Sequence, residues 1–303
     1  MIASNENSNK VANIGIGIIG CGWLGTALAK QLQNIHHPVK ATTGSIESAE
    51  TLNKQGIDAQ VLPLPLTDSS SIQLDVFNMH TVVVCIPPRF KQGLTNYPEK
   101  ISNVVALAEK HRVQHLIMVS STAIYNGLSG TVDENTTLNF YANKVQLMHD
   151  AEQEILAFKG QKSILRLSGL VGPNRHPSRF LSANKVHKNG THDINLIHQS
   201  DAVGLIIALV KQSQLDVHDI GDSKSGNEHI YNGVSDTNST RKVFYQYAAK
   251  VLDLPIPQFE TEQTLAGSAL SSSKKVLGIK AVEELNYNYI HTNLLTWMNE
   301  SAL

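Results

Sequence analysis

Apolar positions fall along this chain in two kinds of block. Runs with no polar interruption at 14–19 and 81–86 read as strands buried on both faces. Stretches whose apolar residues recur every three or four positions read as amphipathic helices. The first run passes directly into a helix predicted over 23–34, where Leu24, Leu28 and Leu32 share a face. A second strand follows over 39–43, then a helix over 46–55 closed by Gly56, and a third strand over 59–62. Pro63, Pro65 and Thr67-Asp68-Ser69 form a loop and a helix cap. The run at 81–86 is stopped by Pro87-Pro88, and a helix over 97–112 presents Ile101, Val104, Val105 and Ala108 on one side. A strand over 115–119 leads into Ser120-Ser121-Thr122-Ala123-Ile124-Tyr125. Strands alternating with helices at this spacing predict βαβ units and a parallel sheet in the order 3-2-1-4-5. Ligands bind such sheets beyond the carboxyl ends of the strands, where the order reverses. That crevice lies between the loop at Gly20 and the Cys85-Ile86-Pro87-Pro88 loop.

The second half is less regular. Helices are predicted over 141–158, 178–188, 202–211 (capped by Ser200 or Asp201) and 239–252, with another from about 291. Strands are predicted over 163–167, 194–197 and 229–234, with a loop over 169–173, a linker over 254–257 and a tail holding Ser271-Ser272-Ser273-Lys274-Lys275. The fold class is α/β: a Rossmann-type, doubly wound parallel sheet with a smaller C-terminal substrate-side region. Residues 11–170 form the dinucleotide-binding domain, and 171–303 complete the sheet and cover the cleft. Residues 1–10 are polar, lack the basic-then-apolar order of a signal peptide, and read as a disordered tail.

Composition narrows the classes of function. With 303 residues, 41% hydrophobic and 17% charged, the chain can bury a full core. Its 25 basic and 26 acidic residues leave a net charge of -1, which gives no electrostatic footprint for nucleic acid or an anionic membrane. No apolar run reaches the ~18 residues of a membrane span. Two cysteines in no metal-like spacing fit a reduced, cytoplasmic protein. Thirteen histidines, including His36-His37, His176, and His187 with His192, show no ligand spacing, so no metal site is expected.

The candidate chemistry begins at Gly20-Cys21-Gly22-Trp23-Leu24-Gly25, a G-x-G-x-x-G between strand and helix. The first glycine suits the tight turn off the strand, the second lets backbone approach a pyrophosphate, and the third lets helix pack closely on strand. Free N–H groups at the helix start then face the phosphates. Ile86, Pro87 and Pro88 form the opposite wall, and Arg89 either pairs with the pyrophosphate or is a solvated loop residue. An NAD site wants an acid at the end of the second strand. Here that place holds Ala41-Thr42-Thr43-Gly44-Ser45, with no acid before Glu47. No arginine stands there either, so Lys40 or the hydroxyls of Thr42, Thr43 and Ser45 would have to meet a 2′-phosphate. The reading leans to NADP over NAD, with Thr43 among the cofactor-binding residues. Cys21 and Cys85 end strands expected to be neighbours, either as a redox pair or as small buried residues.

By Tyr125 the order of parts resembles the short-chain dehydrogenase/reductase superfamily, in its extended and atypical, NAD-dependent epimerase/dehydratase-like branch. The resemblance is carried by the Gly20 loop, Ser120–Tyr125 (Ser-Ser-Thr-Ala-Ile-Tyr), Arg166-Leu167-Ser168-Gly169-Leu170-Val171-Gly172-Pro173, Ile197-His198-Gln199-Ser200-Asp201-Ala202-Val203 and Tyr231-Asn232-Gly233-Val234-Ser235-Asp236. It implies that Ser121 or Thr122 orients a substrate hydroxyl and that the loop from Leu167 and Ser168 onward lies against the nicotinamide. It also implies a substrate side around Pro173 to Lys188, a structural junction at His198 and Asp201, and a homodimer through the helices at 97–112 and 141–158. The family's Tyr-x-x-x-Lys is altered: Tyr141 is followed at i+4 by Val145, with Lys144 at i+3. Tyr141 and Lys144 form a changed dyad or sit on a solvated helix end. Tyr125, the other phenol, is an acid/base or a packed strand-end residue. The expected function is therefore an NAD(P)-dependent oxidoreductase or epimerase/dehydratase-like enzyme acting on a small polar, sugar-like molecule. The alternative is a non-catalytic dinucleotide-binding sensor or scaffold.

Overall fold

In a computed structural model describing residues 14–66, 74–215, 230–260 and 273–300, seven strands form one parallel sheet. They are β1 (Ile16–Ile19), β2 (Val39–Thr43), β3 (Ala59–Val61), β4 (Thr81–Val84), β5 (His115–Ser121), β7 (Gln161–Leu167) and β11 (Ile230–Gly233). Their order is β11-β7-β5-β4-β1-β2-β3, so the predicted 3-2-1-4-5 core is present and extended by two strands. The expected tail at 1–10, the cap at Thr67-Asp68-Ser69 and the Ser271-Ser272 pair lie outside the described residues.

The unbroken apolar strands follow from this topology. Crossover helices cover both faces, so alternate residues of one strand enter different cores. Ile16 and Ile18 join a core with α1 (Trp23–Asn34), α2 (Ile46–Lys54) and α5 (Gln199–Leu215). Ile19, Val82 and Val84 join the opposite core with α3 (Tyr97–Lys110) and α4 (Asn143–Leu156). The first core draws on both sides of residue 170: Leu28 and Leu32 pack with Leu205, Ile206, Leu209 and Tyr231. The expected division at 170 therefore splits the sequence without splitting this core.

Three small parallel pairs complete the C-terminal part. β8 (Gly169–Val171) pairs with β10 (Leu196–His198), β9 (Val186–His187) with β12 (Gln258–Phe259), and β6 (Gly130–Val132) with β13 (Lys274–Val276). A further core beside α6 (Arg241–Val251) includes Val171, Phe244, Phe259 and Trp297.

Four expectations need correction. The loop at 169–173 begins with strand β8. The helix at 178–188 is only a turn at Pro177–Arg179, because Ser182 draws local bonds from Asn184 N–H and His187 that compete with helix, and Val186 enters β9. The helix at 202–211 starts at Gln199, which places Asp201 in its first turn. The helix at 141–158 starts at Asn143, leaving Tyr141 outside it.

Candidate dinucleotide and substrate site

The loop after β1 has the three-part geometry that its spacing predicts. Gly20 adopts φ +79°, and an added Cβ would lie 3.2 Å from the Cys85 backbone and 3.1 Å from Ile86. Gly20 and Cys21 donate their N–H groups to the Thr42 carbonyl at 3.1 and 2.8 Å, tying the turn to the end of β2. Gly22 is exposed, with nothing within 4 Å of where its Cβ would stand. It is the N-cap of α1, no side chain caps that helix, and its first turn holds no acid. Gly25 brings α1 close to β1, since its Cβ would lie 3.2 Å from Ile18. An uncapped helix N-terminus facing open space is a site for anionic oxygens. The residues present therefore fit a dinucleotide pyrophosphate.

The rest of the rim is mixed. Trp23 reaches out of the loop: its indole N–H donates to the Pro173 carbonyl at 3.0 Å, Arg175 lies 5.3 Å over its ring, and Gln199 donates to its carbonyl. This couples the glycine loop to the substrate-side loop after β8. Leu24 packs into the core, so it contributes backbone to the loop. Ile86 packs beside Gly20, followed by exposed Pro87 and half-buried Pro88. Exposed Arg89 takes a left-handed conformation. At the end of β2, Thr43 is half-buried and Ser45 caps α2 by accepting the Ser48 N–H. Lys40 is paired on the surface, its ammonium 2.5 Å from Asp58 and 3.5 Å from Asp75, so a 2′-phosphate would compete with these acids for it. Leu167 packs its side chain in the core, where it meets Gly233, so like Leu24 it offers the site backbone only. Ser168 keeps a buried hydroxyl with no partner among the described residues. Burial pushes the Cys21 thiol up to about 11 and Cys85 to about 12, so both are protonated, packed residues.

At the end of β5 the two tyrosines have opposite fates. Tyr125 is fully buried: its hydroxyl donates to Asn232 Oδ1 at 3.0 Å and accepts from Arg166 at 2.8 Å. Arg166 in turn forms a buried pair with Glu152 at 2.6 Å, and Glu152 also accepts from Ser120. Burial raises the Tyr125 phenol's pKa. Tyr125 is thus part of an interior network and has no free face for substrate. Tyr141 is 98% exposed, ahead of α4, and Lys144 is exposed in the helix's first turn. The i, i+3 pair therefore does not share a helical face, and Val145, where the family has lysine, is buried. Ser121 is half-buried, and its Oγ accepts the Ala123 N–H at 3.2 Å, leaving its own proton free to donate. Thr122 is buried, and its carbonyl accepts from Lys274 at 3.2 Å. Lys274 had no assigned role in the sequence. It is separated from Thr122 by 152 residues, and no local spacing signals the contact.

A second cluster was also invisible to spacing. His198, Asp201 and His291 bring potential ligand atoms within 4.8 Å of one another. The fully buried Asp201 carboxylate accepts from the Tyr287 hydroxyl and from the N–H groups of Ile290 and His291. The Ser200 N–H donates to His198 Nδ1, which assigns the remaining proton to Nε2. Three donors engage the Asp201 carboxylate, His198 Nε2 has no hydrogen-bond partner among the described residues, and the trio clips residues 287–291 onto the start of α5. A cavity of about 800 Å³ adjoins it, between α1, α5 and residues 284–290, lined by Ala27, Gln31, Val203, Ile207 and Tyr287. Neither Ser121 nor Thr122 lines it.

The fold and the glycine loop together define a Rossmann-type dinucleotide-binding protein. Residues 20–212 match the NAD(P)H-binding family model, and the chain belongs to that family. It is 32% identical over 281 residues to protein YeeZ of Escherichia coli K12, covering 90% of this chain and 95% of that protein. Its fold is shared with the Bordetella bronchiseptica enzyme WbmG in complex with NAD and UDP (TM-score 0.71, 16% identity, 97% and 95% of the two chains). It is also shared with the human epimerase family protein SDR39U1 with NADPH (TM-score 0.65, 15% identity, 95% and 99%). These likenesses agree with the expected extended short-chain dehydrogenase/reductase fold. Among the described residues, no helix is long and apolar enough to cross a membrane.

Proposed function

We infer that this protein is an NAD(P)-dependent oxidoreductase or epimerase/dehydratase-like enzyme whose substrate is a small polar, sugar-like molecule. The observation that carries this reading is Gly22, open to solvent at the uncapped N-terminus of α1. Relatives of the same fold that hold NAD with UDP, or NADPH, support it. A bound nicotinamide dinucleotide would supply reversible hydride exchange with a substrate carbon. The Gly20–Gly25 loop would hold the pyrophosphate, and Ile86, Pro87 and Pro88 would wall the opposite side. Thr43 and Ser45 would meet the adenosine ribose, and the lack of an acid there favours NADP. Ser121 would donate to a substrate oxygen, with Thr122 supporting it through its backbone. Tyr141, the phenol that remains open to solvent, would move the hydroxyl proton.

A second reading, binding without turnover as a sensor or scaffold, is favoured by one observation: buried Val145 stands where the family's lysine would be. Quenching of Trp23 fluorescence on titration with NADPH and NADH tests cofactor binding, because Trp23 sits in the glycine loop. Tighter NADPH binding is expected, and tighter NADH binding would reverse the preference. Absorbance of the reduced nicotinamide with sugar and carbonyl substrates then separates the readings. Substrate-dependent change supports the enzyme, and saturated dinucleotide binding with no turnover supports the sensor.

A further inference from the structure

Lys274 is held in place from several directions. Its strand β13 pairs with β6, with Lys274 opposite Gly130, and the Asn195 amide brackets it by donating to the Lys274 carbonyl and accepting the Val276 N–H. The preceding Ser273 hydroxyl donates to Asp193 at 2.6 Å. The Lys274 ammonium is therefore brought to the end of β5, 3.2 Å from the Thr122 carbonyl and 6.0 Å from the centre of the Tyr125 ring. The first turn of α4 closes the same corner, since Val145 packs with Tyr125, Val132 and Val276 in one cluster. That turn carries Lys144 and no acid.

Among the described residues, no carboxylate pairs with either ammonium, and the charged group acting on Lys274 is Lys144, a like charge. Burial, helped by Lys144, lowers Lys274 to about 8. Lys144 directly precedes Val145, which packs on Val276 and Tyr125, so its like charge acts on the half-buried Lys274 ammonium, and an anion joining Lys274 would relieve that repulsion. Each ammonium offers three donors, and Thr122 takes one of those on Lys274.

We propose that Lys274 and Lys144 form an anion-binding pair at the mouth of β5, which holds a phosphate or carboxylate group of the substrate beside Ser121. This rests on the enzymatic reading of the crevice and adds a charge to its substrate. The anion neutralises the pair and positions the substrate. The Thr122 carbonyl and the Tyr125 ring face Lys274, Lys144 adds a like charge, and loss of the Lys274 proton as pH rises through about 8 weakens the site.

Calorimetric titration of UDP, pyrophosphate and malonate into protein saturated with dinucleotide tests the pair, since saturation blocks the glycine loop. Lys274→Met is expected to weaken the bound anion at least tenfold, Lys274→Arg to retain most of the affinity, and Lys144→Met, at an exposed position, to weaken it severalfold. Affinity should fall as pH rises through about 8 in wild type and stay flat in Lys274→Met. Preference for UDP and pyrophosphate assigns a phosphate, and preference for malonate a carboxylate. Equal affinity in Lys274→Met, or no anion binding to wild type, overturns the pair. Trp23 quenching by dinucleotide, measured on the same variants, reports separately on the cofactor reading: its failure leaves a Lys274-dependent anion site standing, whereas normal quenching with no anion effect rejects the pair alone.

Discussion

Gly20 and Gly22 are two residues apart and predict opposite outcomes. Gly20 sits at φ +79° against the Cys85 backbone, so Gly20→Ala should lose about 1–3 kcal/mol in urea unfolding. Gly22 has a negative φ and open space around it, so Gly22→Val should lose no more than about 1 kcal/mol, the cost of a poorer N-cap, while weakening dinucleotide binding at least tenfold. Tyr125→Phe removes one member of a buried network and should cost about 1–3 kcal/mol with dinucleotide affinity preserved. Loss of binding at unchanged stability would return Tyr125 to the site. Glu152→Ala strands Arg166 in the interior and should cost about 3–5 kcal/mol. The glycine roles were legible because they depend on adjacent backbone. The fate of Tyr125 was not, because its partners Asn232 and Arg166 lie 107 and 41 residues away. His198 gives a pH signature. Burial, with His291 adding a smaller effect, lowers it to about 4, below its unfolded value of 6.5. The unfolded chain then binds the extra proton between those values, so stability falls as pH drops from about 6.5 to 4. A shift of this size corresponds to about 3 kcal/mol. His198→Gln should flatten that limb of the stability-pH curve, and an unchanged slope would remove His198 as its source.

At the scale of elements, the parallel strands and their helices were readable because each carries its own apolar period. The small pairs were not: β6 and β13 are short and widely separated in sequence, and pairing rather than periodicity defines them. The start of α4 was misplaced by two residues, and that small error decides whether Tyr141 and Lys144 face together. Tyr141→Phe should lower kcat with little effect on dinucleotide affinity if Tyr141 moves the proton. Unchanged turnover would reject that role. The α5 start also depends on distant chain, because Asp201 receives the N–H groups of Ile290 and His291. Asp201→Asn should make residues 287–291 more sensitive to proteolysis before global unfolding, and equal sensitivity would show that other contacts hold this segment.

Across the whole molecule, the sheet order follows from chain direction and right-handed crossovers, so its central part was available from the sequence. The sharing of one core across residue 170 was not, since α5 returns to pack with α1. Among the described residues, the large exposed hydrophobic side chains next to the two helices expected at a homodimer seam are Phe140 and Tyr141, just ahead of α4. Light scattering tests that dimer: a dimer disrupted by charged substitutions on α3 or α4 supports it, and a monomer removes it. The central claim, that the loop after β1 holds a nicotinamide dinucleotide, is tested most directly by NADPH and NADH titrations of wild type and Gly22→Val, followed by Trp23 quenching. The account predicts saturable binding to wild type, tighter for NADPH, and at least tenfold weaker binding to a Gly22→Val that remains folded at the assay temperature. No binding of either dinucleotide, or equal binding by the variant, would contradict it.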